Sequence, residues 1–102
     1  FPQVRPSSFT PNGDGINDVV ELSYKLLRLT SPVPVAIKIS DLSGKRVRKL
    51  YTGRDALGEY VHYWDGRDDV GDVVLPGLYL YKFVVELQAE RDTHSGIVAV
   101  AY

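Results

Sequence analysis

The sequence predicts an all-β fold, an antiparallel two-sheet sandwich of about seven strands, and three observations predict it. Short runs of alternating apolar and polar residues recur along the chain. Turn-forming residues separate these runs at short intervals. No segment of helical length has a convincing 3.6-residue period, so a sheet built on a second sheet is the architecture left. At 102 residues the chain suits one core, and residues 1–102 are read as a single immunoglobulin-like domain with 1–18 as an extended lead-in and loop.

The elements follow in order. Pro2, Pro6 and Pro11 with Ser7, Ser8, Asn12, Gly13 and Gly15 mark an extended lead-in that ends in a tight loop. From Val19 to Leu26 alternation sets Val20, Leu22, Tyr24 and Leu26 against Glu21, Ser23 and Lys25, the pattern of a half-buried strand. After Ser31-Pro32 and Pro34, a second strand places Val35, Ile37 and Ile39 inward. Asp41-Leu42-Ser43-Gly44 is a turn, and Lys45 to Tyr51 a basic strand whose core contacts, Val47 and Leu50, are unevenly spaced, which predicts a bulge. Residues 53–58 read as a loop, 59–64 as an aromatic-rich strand, and 65–71 as a turn. Leu78 to Leu87 is the longest strand, with Tyr79, Tyr81, Phe83, Val85 and Leu87 on one face. In the last strand, 93–102, both faces are fairly apolar, which predicts a central or covered position.

Composition narrows the function classes. Twelve basic and thirteen acidic side chains give a net charge of −1, so neither nucleic acid nor an anionic membrane is an expected partner. No stretch approaches the roughly 20 apolar residues of a membrane-spanning helix. With no cysteine there are no disulfides, thiolate metal sites or cysteine nucleophiles, and the compartment is left open. The lack of methionine leads to the expectation of a mature fragment or an excised domain of a longer protein.

The stretch Thr10-Pro11-Asn12-Gly13-Asp14-Gly15-Ile16-Asn17-Asp18 carries the most chemistry, because oxygen-bearing side chains alternate with glycines that let the backbone curl. Set against a calcium loop of the EF-hand kind it fits in part, with Asn12, Asp14, the Ile16 carbonyl and Asp18 as candidate ligands. Thr10 stands where such a loop needs Asp, and a strand follows it instead of a helix. Calcium takes six to eight oxygens, so water or another loop must complete the site. The alternative is that Asn-Gly and Asp-Gly only form tight turns. A second acidic group, Asp65, Asp68, Asp69 and Asp72 around Arg67, is either the rest of a metal site or a solvated turn set by Asp65-Gly66.

Catalysis finds little support. His62 and His94 are the only histidines, each on an expected strand, and no serine lies in a nucleophile-elbow motif. The chain is therefore read as no enzyme. Tyr60, Tyr63, Trp64, Tyr79 and Tyr81 would make a carbohydrate-binding platform if exposed in a row, but most are expected in the core. Trp64 is expected to plug one end of the sandwich while its indole N–H finds an acceptor.

Several motifs together carry a resemblance. Residues Phe9 to Asp18 resemble the opening of gliding-motility-associated C-terminal domains, which end proteins exported by bacterial type IX secretion. Ile39-Ser40-Asp41-Leu42-Ser43-Gly44-Lys45-Arg46-Val47-Arg48-Lys49-Leu50, Trp64-Asp65-Gly66-Arg67-Asp68 and Pro76-Gly77-Leu78-Tyr79-Leu80-Tyr81-Lys82 are similar to the immunoglobulin-like domain named after the flagellar hook-capping protein. The resemblance implies a bacterial extracellular or cell-surface β-sandwich, appended to a larger protein for anchoring, sorting or spacing, with calcium in the 12–18 loop. Its partners would be other domains of the same polypeptide, secretion machinery, surface proteins or identical subunits. Alternatives are an assembly subunit joined by addition of residues 1–8 to a neighbour's sheet edge, and a carbohydrate-binding accessory module.

Overall fold

The computed structural model describes residues 2–11, 18–27, 30–87 and 90–101. Within them the chain forms eight strands and no helix: β1 (Gln3–Arg5), β2 (Ser8–Phe9), β3 (Val20–Leu26), β4 (Val33–Asp41), β5 (Arg46–Asp55), β6 (Gly58–Trp64), β7 (Gly77–Glu86) and β8 (Arg91–Val100). They form a three-stranded sheet in the order β1-β3-β6 and a five-stranded sheet in the order β2-β8-β7-β4-β5. This is the expected immunoglobulin-like sandwich. The lead-in supplies two strands, β1, which pairs with β3, and, beyond the cis Arg5–Pro6 peptide, β2, which pairs with β8 in the other sheet. The β2–β8 pair is parallel, so the sandwich is not antiparallel throughout.

Alternation places the core between the sheets. From the three-stranded side come Val20, Leu22, Tyr24, Leu26 and Trp64; from the other come Phe9, Val35, Ile37, Ile39, Tyr79, Phe83, Val98 and Val100. Tyr81 and Val85 pack at its margin, as do Val47 and Leu50. The last two are the unevenly spaced pair, and each marks a bulge. Ile37 faces Tyr51 while Lys38 faces Lys49, leaving Leu50 unopposed; Ile39 faces Arg48 while Ser40 faces Arg46, leaving Val47 unopposed. Two extra residues in β5 turn both apolar side chains toward the core.

Two other expectations change. Residues 53–55 are not loop but the end of β5, where Asp55 faces Val33. The last strand is flanked on both sides only at its end, where β2 meets Ala99 and Val100; Ile97 on its outer face is 52% exposed. The described part of the lead-in pairs inside its own chain: Gln3–Arg5 with Ser23–Glu21, and Ser8 and Phe9 with Ala99 and Val100.

Candidate functional site

The end of the sandwich that bears the 12–18 loop is built around Trp64. This last residue of β6 is almost fully buried, between Phe9 and Tyr79, with ring centroids at 5.4 and 5.7 Å. Its Nε1–H donates to the Arg67 carbonyl at 2.9 Å, the plug and polar handle expected of an indole at a strand end. The turn that follows is set by Asp65 and Gly66. Asp65 Oδ1 accepts from the Arg67 amide at 3.1 Å, and Gly66 adopts φ +79°, a left-handed conformation that favours glycine. A Cβ on Gly66 would lie 2.8 Å from Pro11 Cγ, so the residue that opens the 12–18 loop is seated on this turn. The loop's far end is fixed at the same place, since Val20 pairs with Trp64.

Of the candidate calcium ligands, Asn12, Asp14 and Ile16 lie outside the described residues; Asp18 is half-buried two residues before β3. Among the described residues no three His, Asp or Glu side chains gather as a metal site.

The second acidic group is a turn whose carboxylates hold backbone. Asp68 Oδ1 accepts from the amides of Val70 and Asp72 at 3.1 and 2.9 Å. Arg67 reaches the Gly71 carbonyl at 2.7 Å and lies 3.9 Å from Asp65 Oδ2. Asp69 acts on the neighbouring sheet: its amide donates to the Val47 carbonyl at 2.9 Å, its Oδ1 accepts from the Lys49 amide at 2.8 Å, and its Oδ2 pairs with Arg46 at 3.1 Å. One residue thus satisfies both backbone groups that the outermost strand, β5, presents beside its second bulge. Asp41 serves the β4–β5 turn in the same way. It accepts from Ser43 Oγ and from the amides of Ser43 and Lys45, and the Ser43 hydrogen bond leads in holding its carboxyl below the usual range. Between these turns lies a depression of about 430 Å³. Its acidic lining is Asp41, Asp68 and Asp69, each already committed to backbone amides.

A polar cluster that sequence reasoning missed sits at the opposite end of β6. Asp55 is the one charged side chain buried among the described residues, at 4% exposure. Tyr24 donates to its Oδ2 at 2.5 Å, and Tyr51 donates to its Oδ1. His62 Nε2 lies 3.3 Å from the Tyr24 hydroxyl, whose proton is given to Asp55, so the ring nitrogen is the donor there. The His62 ring stacks on Tyr24 and lies against Tyr51, and Tyr24 stacks on Tyr60. Burial first, then the Asp55 hydrogen bond, push the Tyr24 hydroxyl far above its ordinary value. For Tyr51 the Asp55 hydrogen bond is the leading cause of a rise, while burial pulls His62 down against the opposing charge of Asp55. The cluster joins β3 and β6 of one sheet to β5 of the other. The signal available in the sequence was a lone Asp at the end of a tyrosine-bearing strand, too slight to separate from a loop residue.

The five aromatics considered for sugar binding make no platform. Trp64 and Tyr79 are buried, Tyr60 and Tyr81 half-buried, and only Tyr63 is exposed, on the outer face of the smaller sheet.

A sandwich of eight strands among the described residues, whose N-terminal segment pairs with both sheets and whose turns are tied by carboxylates, defines an immunoglobulin-like domain. The chain belongs to the CHU_C type IX secretion signal domain family, whose model matches residues 4–100. No curated protein matches its sequence. Among solved structures it is similar to FlgD from P. aeruginosa, with a TM-score of 0.60 and 23% identity over 80% of this chain and 62% of that one. It is also similar to PorZ, an essential bacterial surface component of the type IX secretion system of Porphyromonas gingivalis. That match has a TM-score of 0.55 and 22% identity, and covers 99% of this chain but 11% of PorZ. At these identities both likenesses speak to the fold. Among the described residues no helix is long and apolar enough to cross a membrane.

Proposed function

We propose that the domain is a non-catalytic C-terminal module that sorts or anchors a larger secreted or cell-surface bacterial protein through type IX secretion. The observation that carries this reading is the extent of the family match, residues 4–100, which runs from β1 through the last residue of β8. A match of that extent supports a folded surface, rather than a short linear tag, as the signal. The commitment of the turn carboxylates to backbone amides supports a structural use of the acidic residues. The partners are then the remainder of the polypeptide and the secretion machinery. The direct test is transfer: a reporter ending in this chain should leave cells that possess the secretion system and remain in cells that lack it.

Calcium stiffening is a finer part of the same reading. Asn12, Asp14, the Ile16 carbonyl and Asp18 supply oxygens in a glycine-rich loop, and both ends of that loop are held against the Trp64–Gly66 turn. An ion there would close a loop whose ends are already fixed. Asp14→Asn should lower the melting temperature in calcium and leave it unchanged in chelator. Equal melting of variant and parent in both conditions contradicts a calcium site.

A further inference from the structure

The outer face of the five-stranded sheet carries a charge pattern that the net charge of −1 conceals. Lys38 on β4 lies directly opposite both Lys49 on β5 and Lys82 on β7. Three ammonium groups therefore stand in one row across three strands spaced about 4.8 Å apart. All three side chains are exposed, and among the described residues none makes an ion pair. Like charges directly opposite on neighbouring strands destabilise a sheet. The smaller sheet shows the stabilising arrangement, with Lys25 opposite Glu59 and their charged atoms 3.3 Å apart.

The row also has an apolar border. One row along, Ser40 faces Leu80 and Leu80 faces Ile97; beyond these, Leu78 faces Ala99. Leu78 and Ile97 are 48% and 52% exposed, so an apolar strip lies open beside the lysines. A basic row beside an open apolar strip, on one sheet face, has the composition of a protein contact.

We propose that this face docks an acidic amphipathic protein segment, whose apolar ridge covers Leu78, Leu80 and Ile97 while its carboxylates meet Lys38, Lys49 and Lys82. Charge complementarity selects this occupant. A second copy of the same face would set lysines against lysines, and a purely anionic polymer would leave the apolar strip in water. Lysines act as point charges and set no bidentate geometry, which suits steering and orientation of a partner. The proposal stands independently of the secretion reading.

The test uses the 102-residue chain and two probes: a helix-forming peptide with a leucine stripe flanked by glutamates, and heparin as a polyanion without an apolar face. The peptide should perturb the amide resonances of outward-facing residues of β4, β7 and β8, and bind more weakly as salt rises. Lys38→Glu with Lys82→Glu should weaken that binding by roughly tenfold or more, while Lys25→Glu on the smaller sheet leaves it unchanged. Lys38→Glu alone should melt no lower than the parent at low salt, since it places an acid between two lysines. The proposal is overturned by absent peptide binding, by shifts confined to other surfaces, by heparin binding this face more tightly than the peptide, or by a lowered melting temperature for Lys38→Glu.

Discussion

Asp55 ties the two sheets together, because one buried carboxylate accepts hydroxyl protons from a strand of each sheet. Asp55→Ala leaves the Tyr24 and Tyr51 hydroxyls without their acceptor and should cost about 3 kcal/mol in urea unfolding; a loss within the error of the measurement would contradict the cross-sheet role. His62 gives the same cluster a pH dependence. Burial lowers its folded pKa below 6.5, so as pH falls the unfolded chain takes up the proton first. Stability should decline as pH drops from about 6.5 toward the folded value and level off below it. His62→Phe should flatten that slope, and a variant retaining the parent's full slope would show that the proton goes elsewhere. Local signals made the residues around Trp64 readable: a tryptophan at a strand end, then Asp-Gly. Asp55 was not, because Tyr24 lies 31 residues away and contact at that distance leaves no local pattern.

Among the elements, β5 is the most modified. Two bulges turn Val47 and Leu50 inward, and the 65–76 segment supplies Asp69 to satisfy the strand's outer edge between Val47 and Lys49. An uncovered edge strand is a template for pairing with another chain. Asp69→Ala should therefore cost about 1 kcal/mol in stability and increase self-association measured by light scattering as concentration rises. A variant that stays as monomeric as the parent would assign Asp69 no edge-protecting role. The bulges were legible because apolar spacing that breaks a period of two requires an extra residue. β1 and β2 were not, since strands of three and two residues among prolines are too short to show a period. Nor did the mixed apolar character of β8 distinguish a covered strand from one with an open apolar face, and Ile97 is exposed.

For the whole molecule, alternation and turn chemistry determined the sandwich, and the core came from the inward positions of β3, β4 and β7 largely as the periods indicated. Charge did not scale up in the same way. A near-neutral total averages a lysine row on one sheet face with acids spent on turns, so net charge alone does not describe what the surface meets. The family match over residues 4–100 covers the whole sandwich, with its N-terminal segment pairing with both sheets, and the proposed function takes that folded whole as the signal. Phe9 is the point at which that integrity can be broken, because its buried ring against Trp64 ties β2 to β6 across the sheets. Truncating such a ring costs about 3–5 kcal/mol, a large fraction of the roughly 5–15 kcal/mol that holds a domain folded. The most direct measurement is export of a reporter ending in this chain, in a bacterium with type IX secretion, compared between the parent sequence and Phe9→Ala. A folded signal predicts that the parent fusion reaches the surface or medium while the destabilised fusion stays inside the cell. Equal export of both, with the variant shown to be unfolded, would mean that a linear segment carries the signal.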